Sequence, residues 1–173
     1  MTNAPPDRLT LDRIATPVGE VLIVTDADGA VRALDFADFE ARMIRLLTRH
    51  CGGVALTPGP APAAVRAAVD DYFAGDVRAL DGLTVVTGGT VFQRQVWGAL
   101  RAIPAGETRS YGQLAAAIGR PRAVRATGLA NSQNPVAVIV PCHRVIGANG
   151  TLTGYAGGLE RKTWLLAHEG RGA

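Results

Sequence analysis

Long apolar runs are missing from this chain of 173 residues. No stretch approaches the ~20 residues that a membrane span requires, and the opening MTNAPPDRLT lacks the apolar segment of a signal peptide. Cysteine is scarce. Cys51 and Cys142 are the only two, too few for a disulfide framework in a chain this long. Each has a histidine beside it, His50 and His143, but neither pair has the spacing of a zinc motif, so no metal is expected. Disorder is excluded by a hydrophobic share of 47% against a charged share of 19%. These absences together predict a soluble, cytoplasmic, globular protein, with a length that suits one domain or two small ones.

The net charge of +3 hides a division. Residues 1–90 carry 8 Arg and no Lys against 12 acidic residues, whereas residues 91–173 carry 10 basic residues against 3 Glu. A basic second half points either to a polyanionic partner or to a solvated basic surface.

In the first half, LTLDRIA, EVLIVTD and AVRALDF read as three strands, with TPVG and DADG as the turns of an antiparallel meander. FEARMIRLLTRH has helical spacing, and AAVRAAVDDYFAG reads as a second helix ending at Gly75. TPGPAP breaks the chain between them, and LTVVTG suggests a further strand. This half shows little visible chemistry and is expected to be a structural α/β domain over residues 1–88.

Residues 89–173 read as mostly helical. Thr90 with Gln93, and Ser110 with Gln113, each fit a capping box at a helix start. The helix from Ser110 should stop at Gly119, with Pro121 in the first turn of a second helix running to about Ala130. Two short helices across a tight turn resemble a helix-turn-helix. The second has Arg122 and Arg125 three apart, among the small residues Ala123, Ala126, Thr127, Gly128 and Ala130. Small side chains and arginine suit close approach to a phosphate backbone and a groove, or else tight packing on another helix.

VAVIV, residues 136–140, reads as a short, fully buried strand that ends at Pro141 and delivers Cys142 to a turn. A free thiol is only a few per cent ionised at neutral pH, so a nucleophilic cysteine needs a base. His143 is adjacent, although neighbours in a strand point to opposite faces. His168 and Glu169 are candidates to orient its ring. Asn149-Gly150 suggests a type I′ turn, and the flexible GYAGG beyond it could wrap a pocket with Tyr155 stacked on a flat ring.

PCHRVI, preceded by RAVRATGLANSQNP and followed by TGYAGGLERKTWLLAHEG, resembles the O6-alkylguanine-DNA alkyltransferases, also called methylated-DNA–protein-cysteine methyltransferases. The likeness is dense over residues 91–170 and looser before them. It implies direct repair: an alkyl group passes from guanine O6 in double-stranded DNA to the protein's own cysteine, irreversibly and without a cofactor. By resemblance Cys142 is the acceptor, His143 the base acting through water, Glu169 the carboxylate that orients it, and Asn134 the residue that holds the turn. Arg125 would fill the gap left by the flipped base, and Tyr111 would rotate the nucleotide and hydrogen-bond the extruded guanine. Arg122, Ala123, Ala126, Thr127 and Gly128 would face the DNA, in the minor groove. Tyr155, Val145, Ala156 and Gly157 would line the pocket.

Thr127 departs from the valine common in the family, and Ala156 from a serine found in some members. The resemblance implies double-stranded DNA carrying O6-alkylguanine as partner, no membrane and a monomer, with cooperativity on DNA left open. The expected class is thus α/β (α+β): an N-terminal antiparallel sheet with helices, then a mostly helical alkyltransferase domain containing a helix-turn-helix and a short buried strand. Two rival readings remain, a non-enzymatic sensor of alkyl lesions and a helix-turn-helix regulator.

Overall fold

The computed structural model describes residues 8–53 and 55–172, with the side chains of 171 and 172 left out. The chain divides into two compact units, one ending at Gly89 and one beginning at Thr90.

The first unit is built on the expected meander. Strands β1 (Leu9–Ile14), β2 (Val21–Asp26) and β3 (Val31–Phe36) pair antiparallel, with Leu11 opposite Val24 and Ile23 opposite Leu34. In the central strand β2, residues 21–24 are wholly buried. Their unbroken apolar run fits a strand covered on both faces, since neighbours point to opposite sides. Helix α1 (Glu40–Cys51) supplies Met43, Leu47 and Cys51, spaced by four, to a cluster with Leu9, Leu22, Val24 and Ala33. Cys51 is therefore a core residue, and burial pushes its thiol up from the usual range.

Two expectations for this unit are corrected. The Pro- and Gly-rich break contains β4 (Leu56–Pro58), which pairs parallel to β1 and gives the order β3-β2-β1-β4. Pro58 sits at the sheet's edge, where its missing N–H costs nothing. LTVVTG forms no strand and contributes one parallel bridge between Val85 and Val31. Asp12 secures the chain after β4, accepting from Ala61 N at 2.9 Å and from Arg66 at 2.7 Å. Helix α2 (Ala63–Ala74) then ends at Gly75, whose φ of 125° suits glycine.

The second unit opens with α3 (Val91–Arg101). Both reciprocal bonds of its capping box, Thr90 with Gln93, are present, and the same holds for Ser110 with Gln113 ahead of α4 (Tyr111–Ala117). Helix α5 (Val124–Ser132) starts later than expected, because residues 121–123 form a turn. Pro121 and Arg122 thus precede the helix. Trp97 in α3 is core, donating to Ala130 O in α5 at 2.9 Å. Two short parallel strands, β5 (Arg109–Ser110) and β6 (Val145–Ile146), bring distant segments together. Helix α6 (Leu159–Gly172) closes the chain.

The expected strand at Val136–Val140 is absent. These residues are buried, but they run through turns. Ile139 N donates to Ala137 O at 2.8 Å across Val138, whose φ is 70°. That is a three-residue turn in its strained, positive-φ form, unusual for a β-branched residue. Asn149-Gly150 is also not type I′. Only Gly150 has positive φ, and Gly147 bonds both Gly150 N and Thr151 O, the pattern of a type I turn with a glycine bulge.

Thr127 is fully buried in α5, and its Oγ1 has no hydrogen-bond partner among the described residues. Replacing a buried, unsatisfied hydroxyl by a methyl of similar size removes a desolvation penalty. Thr127→Val should therefore raise stability by about 1–2 kcal/mol in urea unfolding. A loss of stability would mean that the hydroxyl is bonded in solution.

Candidate active site

The site grows from a buried carboxylate. On α6, Lys162, Leu165 and Glu169 follow one another at helical spacing and share an inward face, each at most 1% exposed. Against this face lies a single 3-10 turn, Cys142–Arg144. Glu169 Oε1 lies 2.7 Å from His143 Nε2 and accepts from Arg144 Nε at 2.9 Å, while Oε2 accepts from another Arg144 nitrogen at 2.6 Å. The remaining arm of Arg144 donates to Ile103 O, just beyond α3, at 2.6 Å.

These contacts fix the protonation of the imidazole. Burial pushes the Glu169 carboxyl up, but the Arg144 guanidinium and the His143 ring outweigh it and hold the group at about 2. An ionised carboxylate only accepts, so His143 Nε2 must carry the proton it shares with Oε1. Burial lowers the His143 pKa, with Glu169 opposing, so the ring is neutral at pH 7. Its Nδ1 is left as a bare lone pair, buried and without a partner among the described residues.

Cys142 opens the turn, 7% exposed. In a 3-10 turn successive side chains lie about 120° apart, not on opposite faces as in a strand, so the difficulty raised by a strand reading disappears. The preceding segment is clamped by Asn134, whose amide donates to Val140 O at 2.7 Å and accepts from Val136 N at 2.9 Å. Cys142 N itself bonds Val140 O across Pro141 at 2.8 Å.

Strand pairing gathers other candidates. Arg109 stands opposite Val145, so Tyr111, first in α4, follows the strand that neighbours the cysteine turn. Its ring lies against α5: a Cβ placed on Gly128 would stand 3.6 Å from Tyr111 Cδ1. Arg125 and Ala126 are exposed in the first turn of α5, and Arg122 and Ala123 lie just ahead of it, Arg122 exposed.

Thr127 is turned into the interior, so the expectation that it faces DNA is corrected: it is a packing position. Tyr155 is half-buried, Ala156 exposed and Gly157 buried, while the Val145 side chain is wholly buried. His168 stacks on Trp164, ring centroids 4.7 Å apart, and the orienting partner of His143 is Glu169. Arg144 and Lys162 were missed. A charged residue inside an otherwise apolar run, as in PCHRVI, was the available signal for the first. No helix among the described residues is long and apolar enough to cross a membrane.

A family profile described as "6-O-methylguanine DNA methyltransferase, DNA binding domain" matches residues 91–171. The methylated-DNA–protein-cysteine methyltransferase of Salmonella typhimurium is 51% identical over 165 residues, 94% of this chain and 96% of its own. That of Shigella flexneri is 47% identical over the same shares. Among solved structures, Mycobacterium tuberculosis OGT in complex with DNA superposes with a TM-score of 0.78 at 39% identity, covering 95% of this chain and 94% of that one. The O6-methylguanine-DNA methyltransferase of Pyrococcus kodakaraensis gives 0.63 at 26%, covering 94% and 99%. With half of all residues shared along almost the whole length, this chain belongs to the methylated-DNA–protein-cysteine methyltransferase family.

Proposed function

We propose that the protein repairs alkylated double-stranded DNA by moving an alkyl group from guanine O6 onto the Cys142 sulfur, once and irreversibly. The observation that carries this reading is the neutral His143, locked by Glu169 with Nδ1 unprotonated, on the residue next to Cys142. A thiol beside such an imidazole has a base available through a bridging water.

The proton of Cys142 passes through that water to His143 Nδ1. The sulfur's electron pair forms a bond to the saturated carbon of the alkyl group, in line with the carbon–O6 bond, which breaks. Its electron pair stays on guanine, and the proton relayed from His143 neutralises the base. A thioether is inert, so the protein is spent, and no cofactor takes part. The Tyr111 hydroxyl donates to the extruded guanine as charge develops.

A base inside a duplex has to leave the stack first, at a cost of a few kcal/mol. Arg125, exposed on α5, offsets part of that cost by occupying the gap. Arg122, Ala123, Ala126 and Gly128 border the minor groove, and Tyr155, Val145, Ala156 and Gly157 enclose the base. The unit from Thr90 is then the alkyltransferase and the unit before it a structural domain. The protein acts as a monomer in the cytoplasm, where Cys51 and Cys142, both free thiols, stay reduced.

Intact-mass measurement before and after incubation with an O6-methylguanine duplex should show one CH2 gained, located on Cys142. Cys142→Ala should gain nothing while still binding the duplex. Duplex binding by the wild type with no mass gain would instead make the protein a lesion sensor.

Arg125→Ala should slow repair of duplex about tenfold or more, in keeping with the energy of flipping, while leaving reaction with free O6-methylguanine base much less affected. Equal losses on both substrates would rule out the gap-filling role.

Glu169→Gln should lower stability at pH 7 by about 3–5 kcal/mol, because Arg144 stays buried without its carboxylate, and slow transfer by roughly a hundredfold through loss of the oriented base. The native carboxyl titrates at about 2, below the ~4.3 of an unfolded glutamate. Its stabilisation is thus complete above about pH 4.3 and lost as pH falls toward the native value. Urea midpoints of wild type and variant should converge over that window.

A further inference from the structure

Arginine supplies 17 of the 18 basic residues in the chain, and the one lysine is Lys162. It is 0% exposed. Its ammonium donates to Val145 O at 2.6 Å, in the strand that follows the cysteine turn, and to Thr153 O at 2.8 Å, two residues before Tyr155. A protonated lysine has three donors, and the third finds no acceptor among the described residues. No described carboxylate pairs with it. A full charge withdrawn from water and held only by carbonyl dipoles is costly unless an anion is near.

Burial pulls the lysine down from its usual range, and the one charge that acts against this is Cys142. The charged and titratable groups packed about the cysteine turn are His143 and Arg144 on the turn itself and Glu169 and Lys162 on α6. Glu169 is committed to His143 and Arg144, and Arg144 in turn to Glu169 and Ile103 O. Lys162 alone has a charge not already matched.

We propose that Lys162 is the counter-charge of the Cys142 thiolate, a positioning residue that favours the anion while tying the cysteine turn to the loop carrying Tyr155. The same charge opposes an imidazolium at His143. The inference rests on reading Cys142 as the nucleophile.

The test is the alkylation of Cys142 by iodoacetamide in full-length wild type, K162M and K162R between about pH 5 and 10, with peptide mass spectrometry separating Cys142 from Cys51. In K162M the midpoint should rise by one unit or more, an approximately tenfold loss of thiolate at neutral pH, and the rate should recover at alkaline pH. K162R, which keeps the charge without the compact ammonium, should shift the midpoint less than K162M does. An unchanged K162M midpoint, or a rate reduced equally at every pH, would overturn the proposal, because a purely structural tie predicts no alkaline recovery.

Should K162M fail to fold, 15N NMR of wild type and Cys142→Ser decides. The Lys162 Nζ resonance should shift in step with ionisation of the thiol, and that step should vanish in the serine variant; its absence in wild type would overturn the proposal. Iodoacetamide needs no DNA. A shifted midpoint without methyl uptake from duplex would sink the repair reading and leave the lysine's role standing, and methyl uptake with an unshifted midpoint would do the reverse.

Discussion

A carboxylate at 1% exposure cannot remain ionised without matched cations and donors around it, and Glu169 has them in Arg144 and His143. Most of the second unit's arrangement follows from satisfying that charge. The two bonds from Arg144 hold the 3-10 turn flat against α6. Its third contact, to Ile103 O, secures the end of α3 to the same point. His143, sharing the carboxylate, has no choice of tautomer. One buried anion thus sets the position of the cysteine, the direction of the imidazole and the docking of two helices. The cost of burying three ionisable groups is borne because removing any one leaves the others unmatched.

The backbone that delivers the cysteine is irregular for a related reason. A strand through Val136–Val140 would have placed Cys142 and His143 on opposite faces. The chain instead uses a positive φ at Val138 and tight turns around Val138 and Pro141. The positive φ at a β-branched residue costs about 1–3 kcal/mol. The segment is kept in place by burial of its valines and isoleucine and by the two bonds of Asn134. The result is a 3-10 turn in which the Cys142 thiol and the His143 imidazole are successive residues on neighbouring faces.

Local signals were the legible ones. The capping boxes at Thr90 and Ser110, the meander and the C-cap at Gly75 are short-range patterns, and each stands where the pattern put it. Five apolar residues in a row, by contrast, read alike whether they form a strand or a buried irregular stretch, and only the tertiary bonds of Asn134 decide. β4 was hidden by the prolines and glycines around it, and β5 and β6 are two residues each, below the length at which alternation is visible. Cys142, His143 and Glu169 were found through a motif spread over nearly thirty residues. Arg144, inside the same motif, was passed over because sequence adjacency does not reveal that its charge is buried.

The choice between the two basic residue types carries information that neither charge counts nor motifs convey. Where a carboxylate is the partner the chain uses arginine, as in Arg32 with Asp26, Arg42 with Asp35, Arg66 with Asp12 and Arg144 with Glu169. The planar guanidinium matches the two oxygens of a carboxylate. At position 162 the partners are single carbonyl oxygens pointing in from two separate segments. A fork fits them poorly, whereas a compact ammonium with rotatable donors can reach both. Geometry of the acceptor, carboxylate or paired carbonyls, accounts for the one departure from arginine in the whole sequence, and it falls on the face of α6 that also holds Glu169.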